Sequence, residues 1–113
     1  MEENGLCVIW SSADREVALE CAFMYAHNSK KKGWWGKVRL IIWGPSGKLL
    51  MEDKQIQKKV KEMMKDGVEI LACKSCADHL KISEDLIDFG VDVMYAGAPL
   101  TNMLKSGWKV LTY

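Results

Sequence analysis

Gly67-Val68-Glu69-Ile70-Leu71-Ala72-Cys73-Lys74-Ser75-Cys76 is the stretch on which the fold of this chain turns. A glycine closes a helical pattern, the apolar run Val68–Ala72 follows, and a second helical pattern begins at once. That order predicts a buried strand that exits directly into a helix. The C-x-x-C pair stands on the exit. A helix start presents unpaired backbone N–H groups and a partial positive charge, which favour thiolate over thiol. Lys74 adds a cation nearby, so Cys73, Lys74 and Cys76 point to nucleophilic sulfur chemistry.

Working outward, the same alternation fills the chain. Strands are predicted at Leu6–Trp10, Val38–Trp43, Val68–Ala72, Val91–Tyr95 and Trp108–Thr112. Helices are predicted near Asp14–Lys31, Leu49–Lys65, Ser75–Phe89 (broken near Ile82-Ser83) and Pro99–Lys105. Ile56, Val60 and Met63 fall at i, i+4, i+7, with Lys58, Lys59, Lys61 and Glu62 facing outward. Gly33, Gly67, Gly90 and Gly107 each follow a helical stretch, where a left-handed residue ends it. Strand-helix alternation implies an α/β fold with a five-stranded parallel sheet and helices on both faces. The unbroken apolar runs Leu6–Trp10 and Leu40–Trp43 suit central strands. Val91-Asp92-Val93 and Trp108-Lys109-Val110 carry a charge in second position and suit outer ones.

The bulk numbers narrow the function. A chain of 113 residues predicts one domain spanning 1–113. A formal net charge of +1 argues against nucleic acid as a partner. Met1-Glu2-Glu3-Asn4 lacks a basic and then apolar leader pattern, and no apolar run is long enough to cross a bilayer. The expectation is a cytoplasmic protein without membrane contact. Cys7 and Cys21 lie in apolar runs and read as core, and a disulfide framework is not expected.

In open parallel sheets, ligands gather outside the carboxyl ends of the strands. Those ends carry Ser11-Ser12-Ala13-Asp14, Gly44-Pro45-Ser46-Gly47, Cys73-Lys74-Ser75-Cys76 and Ala96-Gly97-Ala98-Pro99. Ser11, Ser12, Asp14, Gly44, Ser75 and Gly97 are therefore candidates for a substrate edge, and Cys73 is its strong nucleophile. Three chemistries fit the pair: persulfide carriage on Cys73, a reversible Cys73–Cys76 disulfide, or a metal with His79 completing C-x-x-C-x-x-H. Metal is the weakest, because a zinc site takes four ligands and no second pair exists. Neither a metal nor another cofactor is expected. Inert packing is the commoner fate of a cysteine; for Cys76 it stands level with chemistry.

Other features read more plainly. Gly44-Pro45-Ser46-Gly47-Lys48-Leu49 has too few residues between its glycines for a phosphate loop, and a tight turn explains it better. His27 reads as a cap or surface residue and His79 as a solvated helical histidine. Asp14 reads first as a helix cap. Lys30–Lys32 with Trp34-Trp35 reads as a solvated loop or subunit contact rather than a nucleic-acid platform.

In these features the chain resembles the DsrE/DsrF-like family of small sulfur-relay proteins, from Leu6 to Thr112. The carriers are Ser11-Ser12-Ala13-Asp14, Trp43-Gly44-Pro45, Gly67–Cys73 and Gly97…Leu100…Leu104…Gly107-Trp108-Lys109-Val110. The resemblance implies a flavodoxin/Rossmann-like three-layer α/β/α sheet with the last strand beside the first, and homo-oligomers, often trimers or hexamers. It also implies persulfide on the cysteine of the third-strand exit, the position of Cys73; Lys74 and Cys76 depart from the common pattern. The functional expectation is a sulfur carrier that exchanges with a donor or acceptor protein, with Cys76 resolving the persulfide or forming a disulfide. A non-catalytic oligomeric binding module, or a dithiol redox protein, is the alternative.

Overall fold

The computed structural model describes residues 5–113, so the reading of Met1–Asn4 as no leader lies outside the described residues. Five parallel strands form one sheet: β1 (Gly5–Trp10), β2 (Lys37–Ile42), β3 (Glu69–Cys73), β4 (Asp92–Met94) and β5 (Lys109–Thr112). Their order is β4-β3-β2-β1-β5, which puts the last strand beside the first and the two charge-bearing strands at the edges. The register pairs Trp10 with Ile42, Ile42 with Ala72, and Cys73 with Met94. The carboxyl ends of β1 to β4 thus open on one edge.

Seven α-helices connect the strands among the described residues. They are α1 (Arg15–Val17), α2 (Phe23–Lys31), α3 (Ser46–Glu52), α4 (Lys54–Lys65), α5 (Lys74–His79), α6 (Ser83–Phe89) and α7 (Gly97–Lys105). Every other side chain of a strand faces the same way, and this divides the core in two. Leu6, Val8, Trp10, Leu40 and Ala72 pack under Ala18, Phe23, Leu50, Ile56, Val60 and Leu86 from the helices. Cys7, Ile41, Leu71 and Cys73 face the opposite side, where Met103 of α7 and Trp108 cover them. The stripe Ile56, Val60, Met63 is buried as the spacing predicts. Gly90 ends α6 at φ 110°, a conformation that a Cβ would strain.

Three expectations are corrected. The helix expected over Leu49–Lys65 starts at Ser46 and is two helices, because Asp53 is extended (φ −118°, ψ 112°). The Asp53 carboxylate accepts from the N–H groups of Gln55 at 3.0 Å and Ile56 at 3.1 Å, so it caps α4 and breaks the run. The first helical stretch is interrupted by a π-helical turn over Ala18–Ala22. Ala18 and Ala22 point inward there, and Cys21, expected in the core, is exposed.

Candidate functional site: a thiol pair at the sheet edge

The exit of β3 is where the alternation of the strand and the start of α5 meet. Cys73 is the last residue of the strand and holds the cap position of the helix, extended at φ −68° and ψ 119°. Cys76 follows one turn later and comes back over it, since residues three apart share a helix face. Both pack in the cluster beneath Leu100, Met103 and Trp108. Ala96, 1 % exposed, closes the far wall from the β4 exit.

The electrostatics of the two thiols differ. Burial works against ionisation of Cys73, but the Cys76 N–H, the Cys76 thiol and the N–H groups of Ala96 and Ser75 outweigh it. The Cys73 thiol is therefore held below its ordinary value. Cys73 nevertheless makes no side-chain cap hydrogen bond to the helix it precedes. Cys76 moves the other way: burial pushes it up, the Gly44 N–H opposes, and the neighbouring Cys73 thiolate raises it further. One sulfur is prepared as a nucleophile, and the other holds a proton against it.

Access also differs, and here the sequence reading needs correction. Cys73, expected as the nucleophile of the substrate edge, is only 6 % exposed. Cys76 is partly exposed. A cavity of about 410 Å³ beside it is lined by Gly44, Pro45, Ser75, Cys76, His79 and Leu80. A smaller void behind that wall touches both cysteines together with Ile42 and Gly44.

The remaining candidates divide. Gly44 (φ 70°) turns at the β2 exit and offers its N–H to Cys76, and Ser75 lines the cavity and faces an N–H toward Cys73. Lys74 is placed otherwise: its Nζ pairs with Asp78 at 2.8 Å and lies 5.8 Å from the Tyr95 ring centre, and that pairing raises its own pKa. Its charge is directed at Asp78 rather than at the thiol. Ser11 donates its Oγ to the Tyr113 carbonyl at 3.0 Å and so ties β1 to the chain end. Ser12 Oγ accepts the Asp14 N–H at 3.0 Å, and Asp14 Oδ1 caps α1 through the N–H groups of Glu16 at 2.8 Å and Val17 at 3.2 Å. Gly97 opens α7 into open space. Ser46 serves the tight turn, donating to the carbonyls of Trp10 at 2.6 Å and Trp43 at 3.1 Å. His27 pairs with Asp66 at 2.7 Å, far from the thiols in sequence and fold.

Sequence reasoning missed Ala96 as a donor and Pro45 and Leu80 as cavity walls. The rule that strand exits converge did flag the loops that carry Ala96 and Pro45. Nothing local marked Leu80. Among the described residues, no cluster of three or more His, Cys, Asp or Glu gathers to hold a metal ion. No helix is long and apolar enough to cross a membrane, again among the described residues.

Comparisons with known proteins agree with this architecture. The chain matches the DsrE/DsrF-like family over residues 37–113. A solved structure of a conserved protein of unknown function from Bacteroides thetaiotaomicron superposes with a TM-score of 0.92 at 35% identity, covering 97% of this chain and 95% of that one. None of the curated proteins matches.

Proposed function

This chain belongs to the DsrE/DsrF-like family, and on that premise we propose that it carries sulfane sulfur on Cys73. The observation that supports this most is the set of N–H groups and the thiol turned toward one cysteine at a strand exit. Thiolate is the form that attacks. Cys73 thiolate takes the outer sulfur of a donor persulfide, R–S–SH. A new S–S bond forms at Cys73, the donor S–S bond breaks, and the donor departs as a thiolate. The product is a Cys73 persulfide that an acceptor thiol unloads by the same exchange. Donor and acceptor are thiol-bearing molecules or proteins in a reducing, cytoplasmic setting.

Mass spectrometry after incubation with a persulfide donor tests this. One sulfur atom is expected on Cys73, and Cys73→Ser abolishes it; labelling confined to Cys7 or Cys21 sinks the proposal. A binding module without sulfur chemistry would instead leave the Cys73 thiol near the free value of about 8.5.

We further propose that the protein works as a homo-oligomer, a trimer or hexamer. Parallel sheets are normally covered on both faces. Here the helical cover of the second face among the described residues comes from α7 and from Cys76 of α5, leaving a groove between Arg39, Glu69, Leu71, Asp92 and Met94.

A further inference from the structure

Cys76 borders the open cavity at the sheet edge, and Cys73 does not. The open cavity of about 410 Å³ touches Cys76, and only the smaller void behind it touches both sulfurs. Cys73 is 6 % exposed and its partner is partly exposed. A carrier that only stores sulfur has no use for a second thiol in that position. The two cysteines stand at the cap and one turn into α5, and the Cys76 thiol is turned to the Cys73 sulfur. Closing a disulfide requires Cβ atoms about 3.8 Å apart, and Cys73 stands at the hinge between strand and helix.

The geometry points to a second step, resting on persulfide loading of Cys73: Cys76 releases the carried sulfur as hydrosulfide and leaves a Cys73–Cys76 disulfide, which a small thiol in the outer cavity then reduces. In the release step Cys76 Sγ attacks Cys73 Sγ. The bond between Cys73 Sγ and the outer sulfur breaks, and that sulfur leaves with the Cys76 proton as HS⁻. The outer sulfur is reduced from the sulfane to the sulfide level, and the two cysteine sulfurs are oxidised to the disulfide. In the reset step a low-molecular-weight thiolate attacks Cys76 Sγ, the sulfur that lines the cavity, and Cys73 departs. Exchange is faster when the leaving sulfur is the better-stabilised thiolate, and Cys73 is that sulfur. A second thiol frees Cys76 as a thiol and leaves as part of the external disulfide. The sum consumes one sulfane sulfur and two thiols, and yields sulfide and one disulfide. The site is then a persulfide reductase whose cavity, lined by Pro45 and Leu80, admits a small thiol.

The test is a single turnover of the full chain with one equivalent of cysteine persulfide, followed by intact mass and sulfide measurement. The reduced wild type is expected to release one equivalent of sulfide and to end lighter by two hydrogens. Cys76→Ser and Cys76→Ala are expected to end heavier by one sulfur, with sulfide release slowed at least tenfold. Adding glutathione disulfide to reduced Cys73→Ser is expected to place glutathione on Cys76 by exchange, with one glutathione leaving as thiol. Sulfide release from both Cys76 variants at the wild-type rate overturns the proposal, as does a wild type that keeps its extra sulfur. Failure of the Cys76 variants to gain any sulfur overturns the loading step itself, and this step with it.

Discussion

Cys7 and Cys73 face the same side of the sheet, yet their protons are held in opposite ways. Cys7 lies mid-strand and fully buried, and burial pushes its thiol up to about 11 against a weaker pull from Arg39. Its neighbours' N–H groups are used in the strand ladder. At Cys73 the ladder ends, so N–H groups of Ser75, Cys76 and Ala96 are left to face the sulfur. Thiol labelling against pH is therefore expected to show a Cys73 midpoint below that of a free cysteine. Cys76→Ala raises it by removing the thiol donor, whereas Lys74→Ala leaves it in place, because Lys74 is committed to Asp78. A Lys74→Ala midpoint that rises as far as that of Cys76→Ala would restore the lysine to the site. For Cys7 the sign runs toward alkali. The unfolded chain ionises this thiol near 9.0 and the folded chain near 11, so its contribution to stability is whole below 9.0 and is lost across that interval. Denaturant titrations should show the decline in the wild type and a smaller one in Cys7→Val.

At the scale of elements, Asp53 makes two helices of one. Its carboxylate caps α4 and its Oδ2 accepts from Arg15 Nε at 2.7 Å, which also fastens the start of α1. The Ile56 N–H, and after it Arg15, hold the carboxyl below its usual 3.8. The stabilisation is present above that value and disappears as pH falls through the lower folded one. Asp53→Ala is expected to lower the midpoint of denaturant unfolding, as the loss of a helix cap does. An unchanged midpoint would mean that the break at Asp53 is set by packing alone. The hydrophobic spacing showed both halves of this segment but not the interruption, since Ile56, Val60 and Met63 keep one stripe that Leu50 in α3 also joins. A cap is a matter of one residue's dihedral angles, and periodicity averages over many.

At the scale of the molecule, the two faces of the sheet are unequally dressed. One carries the π-helical turn, α2, α3, α4, α6 and Ala77 of α5 over its core, and the other carries α7 and Cys76 of α5. On the thinner side Arg39 bridges to Glu69 at 3.0 Å and lies 4.9 Å from the centre of the Trp108 ring. Met94, Tyr95 and Leu104 are also exposed. Light scattering on the purified protein is expected to give a mass of three or six chains, and Met94→Asp to lower it. A monomer at micromolar concentration removes the oligomer from the account.

The order of the elements, the parallel sheet, the edge strands and the position of a cysteine at the third exit were all legible in the chain. They depend on local pattern: apolar alternation, glycine stops and a charge in an otherwise apolar strand. Folding alone decided that Lys74 turns to Asp78, that Ala96 reaches Cys73 from another loop, and that the Cys76 thiol is turned to its partner. These are contacts between residues brought together by the sheet, and their distances follow from packing in three dimensions rather than from spacing along the chain.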